Sequence, residues 1–131
     1  MMVTDRVGDF IVRLKNAGAI SSKTVTLPHS NHIEAIAFKL KELGFLSSVE
    51  VSKTTPKTLT VGLVYDARGN HRINGVKRIS KPGRRLYVGT TEAHGVKNGM
   101  GARIISTPKG ILSDREARKV RVGGENLFEI W

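Results

Sequence analysis

Ser106-Thr107-Pro108-Lys109-Gly110 is the run with the most specific chemistry in this chain. Proline presets φ and glycine relieves the sterics of a tight turn, so the run reads as the tip of a β-hairpin. Ile104-Ile105 and Ile111-Leu112 supply the flanking strands. Hydroxyls on such a tip can donate or accept hydrogen bonds, and so can reach phosphates, base edges or 2′-hydroxyls. Lys109 adds a local charge, and Gly110 permits close backbone approach. On residue types alone an ordinary hydrophilic turn explains the run slightly better. Directly after it, Ser113-Asp114-Arg115-Glu116 has the Ser-x-x-Glu form of a capping box. The helix it opens carries Arg115, Arg118 and Lys119 along one side, and Gly123-Gly124 is expected to end it. Gly123-Gly124-Glu125 is either a tight helix-to-strand turn or a backbone shelf against a ligand, with Glu125 accepting from base amino groups.

A second cationic feature lies upstream. Lys77, Arg78, Lys81, Arg84 and Arg85 place five cations within nine residues, with no acid among them. Pro82-Gly83 holds that run in a turn, where its charges stay available to phosphates. A solvated linker is the plainer reading, and the overall charge tips the balance to contact. Tyr87, beside Arg84 and Arg85, could stack on a base. Tyr65, at the end of an alternating strand, is better placed in the core, and Trp131 fits a sheet edge.

Catalytic constellations do not emerge. His29 and His32 are three apart, but His29 follows Pro28, ahead of any helix, and no third ligand has suitable spacing. Gly99-Met100-Gly101 lacks the Lys-Ser/Thr of a phosphate-binding loop. Asp114 and Glu116 are accounted for by a helix start. Without cysteine there is no disulfide, thiol nucleophile or thiolate metal site. The chain reads as a binder, with no catalytic residue, no metal and no cofactor.

Charge says what it binds. The 131 residues carry 22 Lys plus Arg against 11 Asp plus Glu, a net of +11. Residues 66–131 hold fourteen basic and six acidic side chains, a net of +8, so the positive field belongs mainly to the second half. That asymmetry favours a polyphosphate partner and salt-sensitive association. No apolar run reaches the roughly 18 residues of a membrane span, and no leader pattern is visible.

These residues need a frame. Val7, Phe10, Ile11 and Leu14 recur at helical spacing, capped by Thr4 or Asp5, with Gly18 as a stop and Arg6, Arg13, Lys15 and Asn16 on the far face. Thr24–Leu27 reads as a strand closed by Pro28. Ser30 caps a second helix with Ile33, Ile36, Ala37 and Leu40 inward, Lys39, Lys41 and Glu42 outward, and Leu43-Gly44 at its end. Strands are expected at 45–52 and 58–65, separated by a turn at 54–57, and a turn at 66–70. A further extended stretch is expected at 71–79, then a strand at 86–88, a short helix at 91–98 and a last strand at 127–131. The sum is an α+β fold of two small subdomains. Residues 1–66 form a two-helix, three-stranded sheet unit. Residues 67–131 form a mostly antiparallel β unit with short helices.

Arg-Ile-Ser-Lys-Pro-Gly-Arg-Arg-Leu-Tyr at 78–87, Ile-Ile-Ser-Thr-Pro-Lys-Gly-Ile-Leu-Ser-Asp-Arg-Glu-Ala-Arg-Lys at 104–119 and Val-Gly-Gly-Glu at 122–125 strongly resemble the family of ribosomal protein eight of the small subunit. Asp-Phe-Ile-Val-Arg-Leu-Lys-Asn-Ala at 9–17 and Leu-Pro-His-Ser at 27–30 are similar to it as well. The resemblance spans essentially the whole chain. It implies a structural protein of the small ribosomal subunit, monomeric there, that binds the central domain of the ribosomal RNA and nucleates assembly of the platform. Neighbouring small-subunit proteins are implied partners, as is the protein's own operon mRNA where the family represses translation. The compartment implied is the cytoplasmic ribosome, or an organellar one. By carry-over, Ser106, Thr107, Lys109 and Gly110 meet an irregular RNA stem, flanked by Tyr87, Arg84, Arg85, Gly123, Gly124 and Glu125. Arg13 and Asn16 touch a second RNA element. A free-standing translational repressor and a nucleic-acid enzyme are the alternatives, and the enzyme would need carboxylates or His clustered on the basic face. The chain departs from the family at Pro108, usually Ser, which puts one hairpin contact at issue and stiffens the turn. It departs also at Asp5-Arg6-Val7, usually Asp-Pro-Ile, and near Phe128, where a Cys or small residue is common.

Overall fold

The computed structural model describes residues 6–79, 87–88 and 101–131. The elements run α1 (Arg6–Ala19), β1 (Thr24–Pro28), α2 (Asn31–Glu42), β2 (Leu46–Val51), β3 (Thr58–Leu63), β4 (Val76–Arg78), β5 (Tyr87–Val88), β6 (Ala102–Thr107), β7 (Gly110–Ser113), α3 (Asp114–Val120) and β8 (Gly124–Ile130). Two antiparallel sheets and helices segregated along the chain make this an α+β fold. Of the described residues, those in 9–74 form one compact unit, and those from 75 onward form another with residues 6–8. The helix expected at 91–98, the charged break at 80–85, and Thr4 and Asp5 lie outside the described residues.

In the unit of residues 9–74, β3 is the centre of a three-stranded sheet with the order β1-β3-β2. Period-two burial puts Val25 and Leu27 of β1 and Leu59, Val61 and Leu63 of β3 inside. The helical stripe of α1 buries Phe10, Ile11, Leu14 and Ala17, and that of α2 buries Ile33, Ile36, Ala37 and Leu40. Each fully buried large side chain contributes about 1.5–3 kcal/mol. Ser30 caps α2, its hydroxyl accepting from Ile33 N at 3.2 Å. Gly44, just past the helix, takes φ +90°. At 66–70 the Asp66 carboxylate closes the turn, accepting from the Arg68 and Asn70 amides at 2.8 Å each.

Two expectations about single residues change here. Gly18 does not stop α1, which continues to Ala19. A Cβ at Gly18 would lie 1.8 Å from Nδ1 of His71, so glycine is there to seat the imidazole. Lys39 does not look outward: its stem is buried and its ammonium meets Glu42 at 2.8 Å. Of the extended stretch expected at 71–79, only Val76–Arg78 pairs as a strand.

In the other unit β8 is the hub. It pairs with β4, β5 and β6, and β6 pairs with β7. Ile104 opposes Phe128 but Ile105 opposes Asn126, so Leu127 is an extra residue in β8, a β-bulge. That explains why Asn126, Leu127 and Phe128 are buried in succession. Helix α3 packs Ala117 on Ile105, with Val122 against them.

Candidate nucleic-acid interface

The β6–β7 hairpin pairs Thr107 with Gly110, leaving Pro108 and Lys109 at the tip. Proline cannot take a positive φ, and the turn instead places it on Gly110, at 111°. Thr107 holds the tip together: its hydroxyl donates to the Gly110 carbonyl at 2.8 Å and accepts from the Lys109 amide at 3.1 Å. The Thr107 hydroxyl proton is therefore spent inside the turn, and one lone pair remains for a ligand. Lys109 is exposed and Ser106 half-exposed, and neither side chain bonds to any described residue. A rigid tip thus carries a free ammonium and a free hydroxyl.

Register brings the other expected residues to this tip. Glu125 of β8 is the partner of Ser106 on one side and of Tyr87 on the other, a row across three strands. Opposed residues of an antiparallel pair share a face, which places the Ser106 and Glu125 side chains together. Gly124 stands one step along. A Cβ there would lie 2.1 Å from the Ser106 carbonyl oxygen and 3.0 Å from Thr107 Cα. Its glycine is set by the approach of β6, and it does not end α3. The helix stops at Arg121, which takes the left-handed conformation (φ 57°), and Gly123 leads from there into β8.

Helix α3 is fixed at its start. The Ser113 hydroxyl accepts from Glu116 N and Ser113 N donates to the Glu116 carboxylate, both at 3.2 Å. Asp114 is buried, accepting from Arg103 N at 3.1 Å and from Arg118 at 3.3 Å. Both acids are structural. Ser113→Ala removes the cap and is expected to cost about 1 kcal/mol, read as a lower denaturation midpoint. Arg115 and Lys119 stay exposed without a described partner, while Arg118 is drawn to Asp114.

The remaining expected residues are placed as follows. Arg84 and Arg85 lie outside the described residues. Asn16 is exposed on α1. Arg13 is exposed but engaged, its Nε 2.9 Å from Asp9 and its Nη1 3.4 Å from the Thr26 carbonyl. Among the described residues no three His, Asp or Glu cluster to hold a metal, and no helix is long and apolar enough to cross a membrane.

Known proteins match this chain along essentially its whole length. The family model described as Ribosomal protein S8 matches residues 5–131. The small ribosomal subunit protein uS8 of Mycoplasmopsis synoviae is 50% identical over 133 residues, covering all of both chains. That of Chloroflexus aurantiacus is 43% identical, again over all of both. That of Persephonella marina is 43% identical over 99% of this chain and 100% of the other.

Proposed function

The chain belongs to the ribosomal protein S8 family, and from that premise we propose that it binds the central domain of the small-subunit ribosomal RNA directly and nucleates assembly of the platform. As a member it is a structural, RNA-binding protein of the small ribosomal subunit, and not an enzyme. The observation that carries the proposal is the hairpin tip, where the Lys109 ammonium and Ser106 hydroxyl have no described partner on a turn that Thr107 makes rigid.

Docking is electrostatic first. Lys109, Arg115, Lys119 and, from the cationic run, Arg84 and Arg85 meet phosphates and release counterions. Readout follows from shape and hydroxyl contacts along the wide minor groove of an irregular stem, which is how double-helical RNA is told from DNA. There the Ser106 hydroxyl can donate or accept and the Glu125 carboxylate accepts, Gly110, Gly123 and Gly124 allow close approach, and Tyr87 flanks the row. The unit from residue 75 onward, which carries the hairpin, is thus the RNA-binding subdomain, and the unit of residues 9–74 is the other. Arg13 and Asn16 face a further RNA element, and neighbouring small-subunit proteins pack around the complex. An operon mRNA with the same irregular stem would occupy the same surface.

Chemical footprinting of the small-subunit RNA with and without the protein tests this. Protection confined to one irregular stem of the central domain is the expected result, and protection scattered without preference would contradict it. Arg84→Ala is expected to weaken specific and non-specific RNA about equally and to flatten the salt slope by about one unit. Loss toward one RNA alone would remove Arg84 from phosphate contact.

A further inference from the structure

In the unit of residues 9–74, a cleft of about 680 Å³ opens between the end of α1 and the chain that follows β3. Its size is that of a small-molecule or nucleotide site. Lys15 and Arg72 line it. Neither is bound to a carboxylate among the described residues. The guanidinium carbon of Arg72 stands over the Phe45 ring, 4.2 Å from its centre, a cation–π contact that anchors it. Asp66 is the wall's carboxylate, and its turn already uses it: Oδ1 accepts from the Arg68 and Asn70 amides, and Oδ2 from Asn70 Nδ2 at 3.2 Å. The hydrogen bond from the Asn70 amide, aided by those from the Asn70 side chain and the Arg68 and Gly69 amides, holds Asp66 below the usual carboxylate range. It stays ionised and offsets one of the two cations, so the cleft keeps a net positive charge from Lys15 and Arg72 together.

The rest of the wall suits a base. Tyr65 and His71 stand ring against ring, centroids 5.3 Å apart and planes tilted by 32°, an aromatic surface on one side. Burial pushes the His71 imidazole below its ordinary range, so it adds no charge at neutral pH. Its buried Nε2 has no described hydrogen-bond partner. Asn74 is exposed with both ends of its amide free, and Asn70 keeps its carbonyl oxygen after Nδ2 goes to Asp66. Amides of this kind can read the donor and acceptor edge of any base.

We propose that this cleft seats one unstacked nucleotide of the small-subunit RNA. Its phosphate lies between Lys15 and Arg72, its base against Tyr65 and His71, and its edge at Asn70 and Asn74. The inference rests on the chain's binding ribosomal RNA and adds a site on the other unit from the hairpin. It moves the centre of the second contact from Arg13, which Asp9 already neutralises, to Lys15.

The test uses the full chain with a Lys15→Ala/Asn74→Ala variant, two exposed changes that leave the core intact. Base-methylation and 2′-hydroxyl probing of the whole small-subunit RNA is expected to show a protected unpaired nucleotide, separate from the hairpin's footprint and lost in the variant. Affinity for the whole RNA is expected to fall about tenfold, with a salt slope lower by about one. Affinity for a fragment carrying only the hairpin's stem is expected to hold. A variant that keeps every protection and full affinity overturns the cleft while leaving the hairpin reading intact. A wild-type protein with no preferred footprint overturns both. Lys15-dependent NMR shifts with adenosine or uridine monophosphate, but no Lys15-dependent RNA protection, would assign the cleft to free nucleotides and overturn the RNA site.

Discussion

Ser106→Ala/Lys109→Ala is expected to weaken specific RNA binding by about 1–3 kcal/mol and leave folding unchanged, while Thr107→Ala weakens both. The difference comes from where the hydrogen bonds go. Neither the Ser106 hydroxyl nor the Lys109 ammonium bonds to a described residue, so removing them costs the folded state nothing. What they lose is contact with RNA, roughly 1–3 kcal/mol for a good specific contact, or about five- to 150-fold in Kd. Thr107 instead holds the turn through Gly110 O and Lys109 N. Deleting its hydroxyl removes two bonds at about 1 kcal/mol each and frees the tip that positions Lys109. Thr107→Ser keeps the hydroxyl and is expected to restore both properties, which a direct role for the threonine methyl would not allow. The measurement is a salt-controlled titration beside a thermal melt. Wild-type affinity in the Ser106/Lys109 variant would take the hairpin out of the interface.

Much of this arrangement was legible because it is local. The stripes of α1 and α2, the cap at Ser30, the capping box at Ser113 and the Asp66 turn all depend on residues within four positions of one another. The hairpin tip is the same kind of signal. What escaped was set by distant partners. Gly18 has the look of a helix stop, but His71 is what requires it. Gly123-Gly124 resembles a terminator, yet Arg121 adopts the left-handed cap and Gly124 starts a strand. Local propensity would not begin β8 before Leu127. Pairing with β5 and β6 recruits Gly124, Glu125 and Asn126 into the sheet. Lys39 sits at an outward helical position by pattern, and its long stem lets it lie along the core while its charge meets Glu42. The Lys15–Arg72 cleft had no signal at all, because its two cations come from opposite ends of one unit. Ser106, Glu125 and Tyr87 were each readable singly, but only the register of three strands makes them a row.

Gly124→Ala joins that row to the fold, and its expected effect is the largest of any single methyl group added here. The new Cβ would stand 2.1 Å from the Ser106 carbonyl oxygen, 2.9 Å from its carbonyl carbon and 3.0 Å from Thr107 Cα. All three are backbone atoms of the neighbouring strand, so no side chain can rotate away. β6 and β8 must separate by about an ångström, against ladder bonds that also carry β5. Overpacking of that kind costs about 1–3 kcal/mol, and with no flexible neighbour the upper end is expected. The same separation moves Ser106 away from Glu125 and tilts the hairpin. RNA affinity is therefore expected to fall more than tenfold even at temperatures where the variant is fully folded. Leu40→Ala is the control. It empties a fully buried site in the unit of residues 9–74 at a comparable cost of about 2–5 kcal/mol. It leaves the β5–β8–β6 row untouched, so its folded fraction is expected to bind the stem fragment with wild-type affinity. Equal affinity losses in the two variants would show that stability alone governs binding. A Gly124→Ala protein with normal melting and normal affinity would mean that β6 does not press on β8 at this glycine.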